Sequence, residues 1–240
     1  MLFRRIIVNA LLVGIVAGFI LSLAQIFIVN PIIFAAETFE ISAGHDHASH
    51  DHSAQAWAPE DGNERTFYTV ISNMFAGIGF ATLLLAIMCQ LKLQNIIKLG
   101  NSRGLLWGVA GFVTFFVAPG LGLPPEIPGV QAAAIEARQL WWLFAVSGVG
   151  VGMLVVAFAP MKIKAIGIVL IALPYVVSIP HHSGPTFAHP DPTAVAALTD
   201  LHQQFFFASG VSNFLFWLVL GAFCAWTLNR HVLKGFKAND

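Results

Sequence analysis

Long apolar runs alternate with short polar segments along the chain. Six stretches lack Asp, Glu, Lys and Arg and are rich in Leu, Ile, Val, Phe, Ala and Gly. A helix rises about 1.5 Å per residue and the bilayer hydrocarbon is about 30 Å thick, so roughly 20 apolar residues cross it. The pattern predicts transmembrane helices at about residues 6–36, 66–91, 104–123, 139–160, 163–180 and 203–229. Strands of a membrane barrel would read as alternating segments of about ten residues, whereas these runs are continuous. The fifth is the shortest: its apolar part, Ala165 to Pro180, holds 16 residues and includes Pro174. Lys162 and Lys164 extend it by reaching their ammonium groups to the interface. Arg4 and Arg5 precede the first run as they would in a signal peptide. That run is longer than an apolar signal core of about 7–15 residues, and its best cleavage site, Ala35-Ala36-Glu37, is weak. Residues 41–64 form a His/Asp-rich loop and residues 181–200 a second polar loop. The expected fold is therefore all-α: one integral membrane domain over residues 1–240, a polytopic six-transmembrane-helix bundle.

Composition agrees. Hydrophobic residues make up 57% of the 240 and charged residues 10%, against about 25% charged in a soluble domain. The chain lacks the charges to give most of its elements a polar face. This excludes an ordinary cytosolic enzyme, a disordered chain and a basic nucleic-acid binder. Two cysteines exclude a disulfide scaffold. The formal net charge is zero, but the charges are sorted. With six crossings, ten of the twelve Lys and Arg residues fall on one side and only Arg65 and Arg138 on the other. Eleven of the twelve acids, all but Asp240, join Arg65 and Arg138. Basic loops stay in the cytoplasm, so both termini are expected there. Removing any one crossing would place several lysines or arginines outside.

Lipid tails are as apolar as leucine, so helices in a membrane associate through close approach of small residues. Gly14-x-x-x-Gly18, Gly104-x-x-x-Gly108 with Gly111, Gly148-x-Gly150-x-Gly152 and Gly221-x-x-x-Ala225 are such stripes. They predict packing within the bundle, or docking of a partner subunit. Trp57, Tyr68, Trp141 and Trp142 near outer ends, and Trp107 and Trp226 near inner ends, are expected at the interfaces.

The clearest chemical signal is His45-Asp46-His47-Ala48-Ser49-His50-Asp51-His52. Imidazole nitrogens with carboxylate oxygens suit borderline divalent ions such as Co²⁺, Ni²⁺ and Zn²⁺, and the pattern does not choose among them. The candidate metal ligands are His45, Asp46, His47, His50, Asp51 and His52, with His181 and His182 on the second loop. The other reading is a solvated or pH-responsive loop, since His titrates near pH 6.5. Eight of the nine histidines fall on the acidic side, which would also concentrate cations there.

Absences narrow the mechanism. No phosphate-binding glycine–lysine loop is present. No charged residue sits deep in any run, although ion pumps and proton-coupled carriers usually bury such groups along their path. The few mid-membrane polar side chains are expected mostly to bond backbone or neighbouring helices; Gln25 and Asn73 are the better candidates among them to line a route. Glu37, Glu40, Glu64, Glu126, Glu136, Arg138 and His202 would border an outer vestibule. Leu121-Gly-Leu-Pro-Pro-Glu-Ile-Pro-Gly129 supplies the irregular backbone that membranes tolerate where it is buried or lines water.

Several strings together carry a resemblance. Leu2-Phe3-Arg4-Arg5, Glu37-x-x-Glu40, the His/Asp loop and Asp61-Gly62-x-Glu64-Arg65-Thr66-x-Tyr68-Thr69 come first. Ala118-Pro119-x-Leu121-Gly122-Leu123-Pro124-Pro125-Glu126-x-Pro128-Gly129, Arg138-Gln139-x-Trp141-Trp142 and Phe216-Trp217 follow in order. In these the chain resembles the probable cobalt transporter subunit CbtA family of bacteria. The resemblance implies a multi-pass inner-membrane protein that imports cobalt for cobalamin synthesis beside a small one-helix, histidine-bearing partner, CbtB. It implies no catalytic residues and no cofactor; the ion is cargo, and the bilayer is the other partner. Residues Pro180 to Pro192 match the family least.

The leading expectation is import of Co²⁺ or a related divalent metal. The alternative is a membrane metal-binding or sensing module that hands ions to another transporter. A membrane metalloenzyme of the desaturase type would need His-x-x-x-His-like boxes on the cytoplasmic side, and these histidines have neither that spacing nor that side.

Overall fold

The computed structural model describes residues 2–43, 59–60, 62–97 and 101–234. The cluster His45, Asp46, His47, His50, Asp51 and His52 lies outside the described residues. Among the described residues six helices follow one another. Helix α1 covers 2–43, α2 Asn63–Leu93, α3 101–120, α4 Ile135–Phe158, α5 Met161–Val176 and α6 192–232. Among the described residues the chain is otherwise loop, apart from an isolated bridge between Val130 and Phe187.

The helices run alternately between two ends. At one end Arg5 donates to the Val232 and Lys234 carbonyls at 3.3 and 2.7 Å, and the Lys92 ammonium bonds the Asn229 side chain. The beginning of α1, the end of α2 and the end of α6 therefore meet at a basic end. At the opposite, acidic end, Ala36, Ile127, Phe187 and Leu198 form a small apolar cluster with Phe39 and Val130. That cluster ties the α3–α4 and α5–α6 loops to the far ends of α1 and α6.

Among the described residues five helices are long and apolar enough to cross a bilayer: 2–40, 63–93, 103–120, 135–158 and 192–232. Helix α5 has 16 residues, about 24 Å of helix, less than the roughly 30 Å of hydrocarbon. Sequence reasoning extended it to residue 180, but it stops at Val176. The reason lies in Pro174, which has no N–H for the Leu170 carbonyl and whose ring crowds that turn. Helix α6 begins at Pro192 rather than near residue 203, because Asp191 caps it. The Asp191 carboxylate accepts from the Thr193 N–H and hydroxyl, both at 2.8 Å, and Pro192 occupies the first turn, where a missing N–H does no harm.

Two further prolines leave a common mark. The turns Gln25–Val29 and Val113–Val117 are π-helical, and each ends two residues before a proline, Pro31 and Pro119 respectively. A proline inside a helix removes one hydrogen bond and collides with the preceding turn, and a widened turn relieves both.

Packing follows the small residues. The backbones of α1 and α2 touch where Gly14 and Gly18 face Gly77, Ile78 and Asn73. On α3, Gly104, Gly108 and Gly111 receive Gly221, Ala225 and Trp217 of α6. On α4, Gly148 and Gly152 face Leu170, Gly167 and Ile171 of α5, and Gly150 meets Thr114 of α3. All four stripes are thus used inside the chain. The main core runs through α1, α2 and α6, with Leu85, Met88, Phe216, Leu220 and Leu228 almost fully enclosed. Helices α4 and α5 form a hairpin that leans on α3 from outside this core. Trp141 belongs to the hairpin's attachment rather than to an interfacial belt: it is 5% exposed, and its ring lies on Gly122. Trp142 and Trp226 do keep substantial exposed surface.

Candidate functional site: an acidic-end vestibule

The segment Leu121–Gly129 cannot continue α3, because Pro124, Pro125 and Pro128 withhold backbone donors and fix φ. Gly129 adopts φ +85°, a left-handed conformation that glycine alone enters freely. The chain therefore folds over the acidic end of α3 and α4 and walls a cavity of about 700 Å³. Its lining includes Phe115, Pro124, Pro125, Glu126, Arg138 and Gln139.

Glu126 supplies the one carboxylate of this lining, and the Arg138 guanidinium donates to its Oε2 through Nη2. Both side chains are about a quarter exposed. The Arg138 Nε is buried with no hydrogen-bond partner among the described residues, so part of its donor capacity is unmet beside the cavity. On the other side of the loop, His202 Nε2 donates to the Pro125 carbonyl at 3.0 Å, and its ring packs edge-on to Phe187. His202 thus positions the loop that carries Glu126. Chemically, the cavity offers the Glu126 carboxylate, paired with Arg138, and the Gln139 amide, oxygen donors of the kind that hard or hydrated cations take.

A second acidic-end pair joins α1 to α2. Arg65 forks onto Glu37, with Nη2 to Oε1 at 2.6 Å and Nη1 to Oε2 at 3.1 Å. Its guanidinium also stands over the Phe34 ring. Glu37 is therefore committed to a cross-helix bond. Glu64 accepts from the Glu60 N–H at 3.2 Å. Glu40 and Glu136 are exposed, the latter in the first turn of α4, where the helix dipole favours an acid.

The two polar residues expected as route candidates bond across the α1–α2 contact. Asn73 Nδ2 donates to Gln25 Oε1 at 2.6 Å and to Ser22 Oγ at 3.1 Å, and Ser22 in turn donates to the Gly18 carbonyl at 2.9 Å. Gln25 and Asn73 thus join α1 to α2 directly over the glycine contact.

His181 and His182 are exposed. His181 Nδ1 lies 3.1 Å from the Ile179 carbonyl oxygen, and the His182 ring folds over Gly184. His189 accepts the Asp191 N–H at 3.0 Å through Nδ1. The Asp191 carboxyl is held below the ordinary carboxylate range by the Thr193 hydroxyl first and the Thr193 N–H second. Among the described residues, no three His, Cys, Asp or Glu side chains converge as a metal site. Of the residues expected to border an outer vestibule, Glu126 and Arg138 line this cavity, whereas Glu37, Glu40, Glu64, Glu136 and His202 lie outside its lining. Sequence reasoning did not foresee Phe115, Gln139 and Trp142 as cavity walls; the Arg138-Gln139-x-Trp141-Trp142 string was the available signal.

Stacked apolar helices of bilayer length, with the Glu37–Arg65 and Glu126–Arg138 pairs at one end, define a polytopic membrane protein. The chain belongs to the family described as probable cobalt transporter subunit (CbtA), whose model matches residues 3–229. That family is one of transporter subunits rather than enzymes, and the word subunit implies a partner. No curated protein and no solved structure matches the chain.

Proposed function

We propose that this chain is the membrane-embedded subunit of an importer of Co²⁺, or a closely related divalent metal, in the bacterial inner membrane, serving cobalamin synthesis. In this reading the basic end is cytoplasmic and carries both termini. The acidic end is periplasmic. His45, Asp46, His47, His50, Asp51 and His52 gather the ion there, with His181 and His182 adding to the field of donors. The Glu126 cavity receives it, and a small one-helix, histidine-bearing partner of the CbtB kind completes the route. The family match supplies the cargo. The observation that carries the vestibule is the 700 Å³ cavity with Glu126 and Arg138 at its rim.

A capture loop acts on the encounter with the ion, not on the crossing. Deleting residues 45–52 should therefore raise the ⁵⁷Co²⁺ concentration for half-maximal uptake more than it lowers the maximal rate. Competition by Ni²⁺ and Zn²⁺ in the same cells ranks the metals. Superimposable uptake curves for the deletion and the parent would remove the loop from the mechanism.

One observation favours a second reading, a membrane module that binds metal and hands it to another transporter. Asn73 donates to Gln25 across the α1–α2 contact, so both route candidates already have a partner inside the bundle. Under that reading the purified chain in liposomes binds ⁵⁷Co²⁺ and passes none.

A further inference from the structure

A second cavity, of about 660 Å³, opens between α2, α3 and α4 on the basic-end side of Phe115. It follows from the fold: the α4–α5 hairpin leans on α3 and leaves a cleft where α2 and α4 stand apart. Phe80, Leu84 and Ile87 of α2 form one wall, and Val146, Leu154 and Ala157 of α4 the opposite one. The polar residues of the lining are Thr114, Ser147 and Arg103. Thr114 has spent its hydroxyl on Met153 Sδ at 3.6 Å. At the closed end Phe115 stacks on Trp217 and meets Phe80.

Such a chamber does not suit a metal ion. Moving even a monovalent ion from water into a medium of that polarity is strongly unfavourable, and a divalent ion suffers more. Its dimensions suit something else. From Arg103 to Thr114 along α3 is about 17 Å, close to the roughly 15 Å of one hydrocarbon leaflet. The cleft is apolar over that depth and carries its cation at the end where a headgroup would lie.

We propose that this cleft seats one acyl chain of an anionic phospholipid from the basic-end leaflet, with the phosphate at Arg103. The lipid fills the gap between α2 and α4 and so props the hairpin against the core. The inference does not depend on cobalt transport. Native mass spectrometry of the purified chain, titrated with phosphatidylglycerol and with phosphatidylcholine, tests it. One lipid per chain should be retained, and phosphatidylglycerol should bind about fivefold more tightly, the effect of one arginine beside a headgroup of net negative charge rather than a zwitterionic one. Ala110→Phe and Ala157→Phe fill the cleft from α3 and α4 respectively, and each should abolish retention. Arg103→Gln should keep the lipid and erase the headgroup preference. Equal retention in the parent and in a folded filled variant, an intact preference in Arg103→Gln, or a copurifying polypeptide in place of the lipid would each overturn the proposal.

Discussion

The contact between α1 and α2 makes a sharp quantitative test. A methyl group built on Gly14 would strike the Ile78 backbone nitrogen and stand 2.6 Å from the Gly77 carbonyl carbon. Carbon atoms pack at about 3.5–4.0 Å, so the two helices would have to part by roughly 1 Å. The obstacle is backbone, which cannot swing aside as a side chain can. Overpacking of this kind costs about 1–3 kcal/mol. The same shift stretches the Asn73 bonds to Gln25 and Ser22, each worth about 0.6 kcal/mol in a membrane protein. Gly14→Ala should therefore destabilise the bundle by about 2–4 kcal/mol. At about 2–4 °C per kcal/mol for a chain of this size, the melting temperature in detergent should fall by roughly 5–15 °C. Gly79→Ala on α2 is the control. No atom lies within 4 Å of its added methyl, and alanine is the better helix former by up to about 1 kcal/mol, so its melting point should hold or rise. A Gly14→Ala protein that melts with the parent, or a Gly79→Ala protein that falls as far, would refute the backbone-contact account.

Other consequences are equally checkable. Asn73→Ala should lower the melting temperature by a few degrees, about 1 kcal/mol, while ⁵⁷Co²⁺ uptake per folded molecule stays unchanged; a selective loss of uptake would return Asn73 to the transport route. Glu126→Gln should raise the half-saturating metal concentration, and joint replacement with Arg138→Gln should melt within about 1 kcal/mol of the parent, since removing both partners leaves no unpaired charge behind; a normal uptake curve for Glu126→Gln would separate the cavity from metal entry. Asp191 has a lowered pKa in the fold, so its capping contribution is present above the unfolded value of about 3.9 and fades as pH falls through the folded one. The melting gap between the parent and Asp191→Ala should be full at pH 6 and shrink below about pH 4; a gap that is constant with pH would show that the carboxylate's charge is not what caps α6.

Much of the fold was legible because bilayer physics writes it plainly. Runs long enough to cross hydrocarbon became α1, α2, α3, α4 and α6, and the glycine stripes became the helix contacts. The π-helical turns were marked by Pro31 and Pro119, although the sequence alone does not say whether a proline kinks, ends or widens a helix. Helix ends were less legible: Val176 and Pro192 depend on Pro174 and on the Asp191 cap. The site was only partly readable. Charge sorting put Glu126 and Arg138 at one end, but which acid pairs with which arginine depends on how the helices are rotated. For the same reason the sequence could not say which neighbour Gln25 and Asn73 would bond; the register of α1 on α2 makes them partners. The apolar cleft beside Phe115 belongs to no single stretch of sequence; it exists because a hairpin leans on a finished core.

The most direct measurement is ⁵⁷Co²⁺ influx into proteoliposomes holding the purified chain, with and without its one-helix partner. The proposal predicts saturable influx that competing cold Co²⁺ suppresses and that requires the chain. Binding of ⁵⁷Co²⁺ to both preparations with no influx in either would contradict it and leave a metal-delivering module in its place.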